Sequence, residues 1–172
     1  MAVIEINRKV QAIEKVRIAK RVPPQIFIAH SSISKKLLEN IKREIETEKV
    51  LTFIANQERY KTNFAEIIVQ AISNSDALFA VLTKKAFKKQ STRDWIYFEI
   101  GLAKGMWKKA VSKVSNQYKI YVWKDVTINI PNRSPINIIE EYKPLKINSK
   151  KSKDAMLDEM KSIAHNISMK NF

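Results

Sequence analysis

The sequence predicts an α/β fold: an open parallel sheet of about five strands with helices on both faces, preceded by one amphipathic helix. Three observations predict it. Short, nearly continuous apolar runs recur along the chain. Longer segments of helical periodicity separate them, and no internal repeat or low-complexity linker imposes a second domain. Strands that are apolar on both faces belong to parallel sheets covered on both sides and linked by right-handed crossovers.

Val3, Ile6, Val10 and Ile13 mark a near-heptad helix over residues 3 to 20 that stops at Pro23-Pro24. Residues 1–24 thus read as an extension ahead of a domain at 25–172, with packing onto the domain or a helical contact in a homo-oligomer as its two roles. Gln25-Ile-Phe-Ile-Ala29 is a buried strand that feeds a helix N-cap at His30-Ser31-Ser32. A helix near 33 to 48, a strand near 50 to 55 and a helix near 63 to 73 follow. Strand 77 to 82 (Ala77-Leu-Phe-Ala-Val-Leu82), a long helix 92 to 109 and strand 118 to 123 come next. Pro131, Pro135 and Pro144 break up the region after 124, a fifth strand is expected near Leu145-Lys-Ile147, and Ser152 to Ile167 is a closing helix.

Composition narrows the chemistry. Without cysteine there are no disulfides and no thiol nucleophile, and two histidines offer no metal constellation. No stretch reaches the roughly 18 apolar residues of a membrane span, and the start of the chain lacks a leader pattern, so a cytoplasmic location and no membrane contact are expected. The net charge of +15 draws polyanions. Its lysines are scattered in pairs and arginine is scarce, so the charge reads as solvated faces or as attraction of a small polyanion such as a dinucleotide, and nucleic acid is not the expected partner.

The long helix carries the most informative residue. At roughly 100° per residue, Trp95, Ile96, Ile100, Leu102, Ala103, Met106 and Trp107 fill one apolar arc, and Glu99 falls inside it. Arg93, Tyr97, Lys104 and Lys108 take the other side. An acid so placed either snorkels to a neighbouring lysine or lines a cleft beside Trp95, one turn earlier. A carboxylate next to an aromatic platform suits a glycosidic bond, whose cleavage passes through a cationic sugar-like transition state. Ligands of open parallel sheets bind at the carboxyl ends of the strands, which selects the loops His30–Ser34, Asn56–Thr62 and Thr83–Asp94. The first offers a phosphate the small polar run of a helix start, or only a cap in Ser31 and Ser32 and a core histidine in His30. The second offers Arg59 or Lys61 to an anion, or is simply a solvated turn.

Ile26-Phe-Ile-Ala-His-Ser-Ser32 resembles the opening strand box of TIR (Toll/interleukin-1 receptor) domains, and Ala71-Ile-Ser-Asn-Ser-Asp-Ala-Leu-Phe-Ala-Val-Leu82 resembles their central strand and the helix end before it. Trp95-Ile-Tyr-Phe-Glu99 is similar to the Trp-x-x-x-Glu arrangement of TIR domains that consume NAD. The resemblance spans about residues 25 to 125 and implies a flavodoxin-like sheet of order 2-1-3-4-5. It implies NAD⁺ glycohydrolase or ADP-ribosyl cyclase activity in antiphage defence signalling, with NAD⁺ as substrate and no cofactor. Glu99 would be the catalytic acid, Trp95 would pack on the nicotinamide-side ribose or base, His30, Ser31 and Ser32 would border the substrate, and Arg59 and Lys61 would sit in the mobile loop. Homo-oligomerisation through TIR–TIR contacts and a separate sensor or effector protein are implied as well.

The chain departs from the family at Ser34-Lys35, where an acidic residue is common, and at Arg59-Tyr-Lys-Thr62, where a glycine is common. Phe98-Glu-Ile-Gly-Leu-Ala103 is also similar to nucleoside deoxyribosyltransferases, which would use Glu99 as a nucleophile on a nucleoside. A third possibility is a TIR adaptor without activity, in which Glu99 is structural and the N-terminal helix and basic surface carry the function.

Overall fold

A computed structural model describes residues 23–30, 33–55, 64–110, 119–130 and 142–170. The helix expected over 3 to 20, and with it the division at residue 24, lies outside the described residues. Five parallel strands form one sheet: β1 (Gln25–His30), β2 (Leu51–Ile54), β3 (Ala77–Leu82), β4 (Lys119–Asp125) and β5 (Tyr142–Leu145). Their order is β2-β1-β3-β4-β5, the flavodoxin-like arrangement. The strand order reverses between β1 and β3, so the loops leaving these two strands diverge at the carboxyl edge.

The helices are α1 (Lys35–Glu46), α2 (Phe64–Ser73), α3 (Lys84–Lys88), α4 (Gln90–Ala110) and α5 (Lys150–Lys170). Two cores lie on opposite faces of the sheet. Phe27, Ala29, Leu78, Ala80, Leu82 and Val122 meet α2 and α4. Ile26, Ile28, Phe79, Val81, Trp123 and Leu145 meet α1 and α5. Side chains alternate along a strand, so one apolar run serves both cores, which is why every residue of β3 is buried. Among the described residues no helix is long and apolar enough to cross a membrane.

Local chemistry sets the element ends. The cap of α1 is Ser34, whose Oγ accepts the Leu37 N–H at 3.2 Å, so helix initiation does not require Ser31 or Ser32. The helix closes at Thr47, and Lys49 takes a left-handed φ of 61° on the way to β2. Ser149 caps α5 by accepting the Ser152 N–H at 3.3 Å, which starts that helix two residues before the expected Ser152.

The Ser75-Asp76 pair ahead of β3 fastens two strands together. Asp76 Oδ2 accepts the Gln25 N–H at 2.8 Å, and the Gln25 carbonyl accepts the Asp76 N–H at 2.7 Å. The buried Ser75 hydroxyl donates to the Ala71 carbonyl at 2.8 Å and accepts from the Gln25 amide at 3.0 Å. These bonds tie the entrance of β3 to the entrance of β1.

Two expectations are corrected. The fifth strand covers 142–145 rather than 145–147, because Ile147 and Asn148 already form the turn into α5. Pro144 therefore lies within a strand, tolerated because among the described residues β5 is an edge strand paired to β4 alone. Tyr97 is half-buried rather than on the solvent side, because α3 brings Phe87 edge-on to its ring at 6.0 Å. Arg93 completes that cover with its guanidinium 6.0 Å above the Phe87 ring.

Candidate functional site

The long helix α4 lies over the sheet through Ile96, Ile100, Ala103, Met106 and Trp107, all buried. Glu99 shares that face, and only 2% of its surface is exposed. It does not snorkel: the carboxyl is held inside. Burial disfavours the charged form and pushes its pKa from 4.5 up to about 8, opposed in part by a hydrogen bond with the Trp95 side chain. The indole N–H is the only polar group of that side chain and can only donate, so the Glu99 carboxyl is the acceptor.

Trp95 is half-buried against the same core, and its ring meets the Phe98 ring at 5.2 Å with a tilt of 32°. Phe98 is 40% exposed. Successive turns of one helix therefore supply an acid, the donor that fixes it, and an aromatic pair reaching the surface. Through that hydrogen bond Trp95 orients the acid, which spacing along a helix cannot reveal.

His30 closes β1 at the carboxyl edge. Alternation with Ile26 and Ile28 assigns it to the side of α1 and α5, whereas Glu99 packs with α4 on the other side of the sheet. Its Nδ1 is buried without a hydrogen-bond partner among the described residues, and burial lowers its pKa, which keeps the ring neutral near pH 7. The structure gives His30 no hydrogen bond or ring contact with Glu99 or Trp95. Ser31, Ser32, Arg59 and Lys61 lie outside the described residues. Among the described residues there is no group of three or more histidine or acidic side chains arranged to hold a metal ion.

A separate cavity of about 760 Å³ opens at the carboxyl edge, between α3 and the first turns of α1 and α5. Ser34 and Thr83, from two of the loops selected by topology, line it, but Trp95, Glu99 and His30 do not. Lys84, Lys85 and Lys88 were legible in the sequence only as members of scattered pairs, and Lys146 and Lys153 carried no signal of their own, because the two groups lie about 60 residues apart in the chain.

The chain matches no protein-family model and no curated protein.

Proposed function

We propose that this protein cleaves the bond between nicotinamide and ribose in NAD⁺, as a glycohydrolase or ADP-ribosyl cyclase, with Glu99 as the catalytic carboxyl. The observation that carries the proposal is a buried acid on α4, with a pKa near 8, fixed by the Trp95 indole one turn away. Burial of that kind is costly, and strongly shifted acids concentrate at functional sites. The resemblance to NAD-consuming TIR domains supplies the substrate.

The chemistry follows from charge. The nicotinamide ring of NAD⁺ is cationic, and a cation beside Glu99 draws its pKa back down, so the carboxyl releases its proton to solvent and faces the substrate as an anion. The C1′–N bond then breaks with the electron pair leaving on nicotinamide, which departs neutral. Positive charge passes to the ribose as an oxocarbenium-like centre, and the Glu99 carboxylate, accepting the ribose hydroxyls, stabilises it in a low-dielectric setting. Water adds to C1′ and loses a proton to give ADP-ribose; attack by an adenine nitrogen of the same molecule gives a cyclic product. In this role the protein works in the cytoplasm as a homo-oligomer with a separate sensor or effector, in antiphage signalling.

A second reading is favoured by the same burial. At 2% exposure and hydrogen-bonded within its own helix, Glu99 also suits a structural acid in a TIR-like adaptor that associates without turning over substrate. One experiment separates the two. Concentrated protein is incubated with NAD⁺ and nicotinamide is followed by chromatography, beside Glu99→Ala and Glu99→Gln. Release by the parent and loss of at least a hundredfold in both variants is the enzyme outcome. No release from any of the three, assembled or not, rejects catalysis and leaves the adaptor.

A further inference from the structure

The cavity at the carboxyl edge gathers lysines from separate elements. Lys84, Lys85 and Lys88 from α3, Lys146 after β5 and Lys153 in α5 all line it. Some lysines on the helix flanks sit beside acids, as in Lys35–Glu39, Lys42–Glu46 and Lys161–Glu44. Around the cavity none of the five ammonium groups has an ion pair or hydrogen bond with a described residue.

The single carboxylate among the described lining residues, Asp125, is buried, and its Oδ1 accepts both the Thr127 N–H at 2.9 Å and the Thr127 hydroxyl at 2.7 Å. It is committed to holding the turn after β4. Five cations converge on one concave space at the edge where parallel sheets bind ligands, and their mutual repulsion is relieved by a multivalent anion. Ile33, Leu37, Val126 and Ile147 supply an apolar wall of the same cavity. A free phosphate would not use that wall.

We propose that this cavity binds a small anion carrying two or more linked phosphates, either a nucleoside polyphosphate or an inorganic oligophosphate. The site is independent of the nicotinamide chemistry assigned to Glu99, because neither Glu99 nor Trp95 lines it. The cavity volume of about 760 Å³ lies in the range typical of small-molecule sites.

The test is calorimetric titration of the full chain with ATP, inorganic triphosphate, AMP and adenosine, at about 150 mM salt to screen the general positive field. Saturable binding of ATP or triphosphate, at least tenfold tighter than AMP and with adenosine silent, is expected. Tighter binding of ATP than of triphosphate assigns the apolar wall to a base; equal binding assigns the site to phosphate alone. Lys84→Gln with Lys146→Gln should weaken binding at least tenfold. Lys42→Gln with Lys119→Gln, which removes the same charge away from the cavity, should change it less than twofold. All four side chains are on the surface, so the folded state is retained and is checked by circular dichroism. Absence of saturable binding, or equal weakening by both pairs, overturns the proposal. Glu99→Ala should leave the titration unchanged, and nicotinamide release can fail or succeed without affecting it.

Discussion

The Trp95 indole N–H donates to the Glu99 carboxyl from one turn earlier on α4, so the acid that burial drives toward neutrality is also held by the one group that favours its charge. The two influences oppose each other, and burial wins, leaving the pKa near 8. Around neutral pH the side chain is therefore mostly protonated in the folded protein and ionised in the unfolded chain.

Stability should fall as pH rises. Between about pH 4.5 and 8 the unfolded chain gives up the Glu99 proton while the folded protein keeps it, so the folded state loses up to about 1.4 kcal/mol per pH unit from this group. The contribution is fully present below pH 4.5 and is lost by pH 8. Glu99→Gln keeps the shape and the acceptor but cannot ionise. Urea midpoints of parent and variant should diverge steadily from pH 5 to 8, with the variant relatively more stable at the alkaline end. Parallel curves would mean that Glu99 ionises normally. His30 acts in the opposite direction on the acid side, and it is common to both proteins, so it cancels in the difference.

Trp95→Phe keeps a ring and deletes the N–H. Without its donor the Glu99 carboxylate is less favoured, and the pKa should rise further. Near pH 5, where the acid is neutral in either protein, stability should change by less than about 1 kcal/mol; at pH 9 the variant should lose about 1–2 kcal/mol more. If nicotinamide is released, the acid limb of the parent's pH–activity profile, along which Glu99 loses its proton, should move to higher pH in the variant. An unmoved profile would separate Trp95 from the acid.

Trp123 is buried, and its indole N–H donates to Glu159 on α5 at 3.0 Å, while Lys143 on β5 pairs with the same carboxylate. Glu159→Ala leaves the indole N–H buried without an acceptor and should cost about 1–3 kcal/mol. Glu159→Gln retains an acceptor and should cost less than half as much. Equal losses in chemical denaturation would show that the charge, not the hydrogen bond, holds α5 on the sheet.

Lys49 adopts a left-handed backbone at φ 61° between α1 and β2. That region costs an ordinary side chain about 1 kcal/mol, whereas asparagine tolerates it. Lys49→Asn should raise stability by about 0.5 kcal/mol, read as an increase in Tm. Lys49→Gly should gain less, because glycine adds freedom to the unfolded chain.

How far the sequence could be read depended on how local the information was. Ala77–Leu82 emerges as a strand with the expected bounds because six apolar residues between turn-formers have no better use than a doubly covered strand. The buried side of α4 likewise follows from periodicity, with Glu99 inside it. Strand order, by contrast, entered through resemblance to a family and was decided by the parallel pairings of β1 with both β2 and β3.

The sequence by itself determined the α/β class, the alternation of elements and the candidate acid, since these depend on polarity patterns within a few turns of chain. Only the tertiary structure decided that Glu99 is buried rather than snorkelling to solvent, that His30 belongs to the opposite side of the sheet, and that lysines from α3, the end of β5 and α5 surround one cavity. Burial and convergence depend on residues distant in sequence, and desolvation, which raises the Glu99 pKa, exists only once those residues have packed around it.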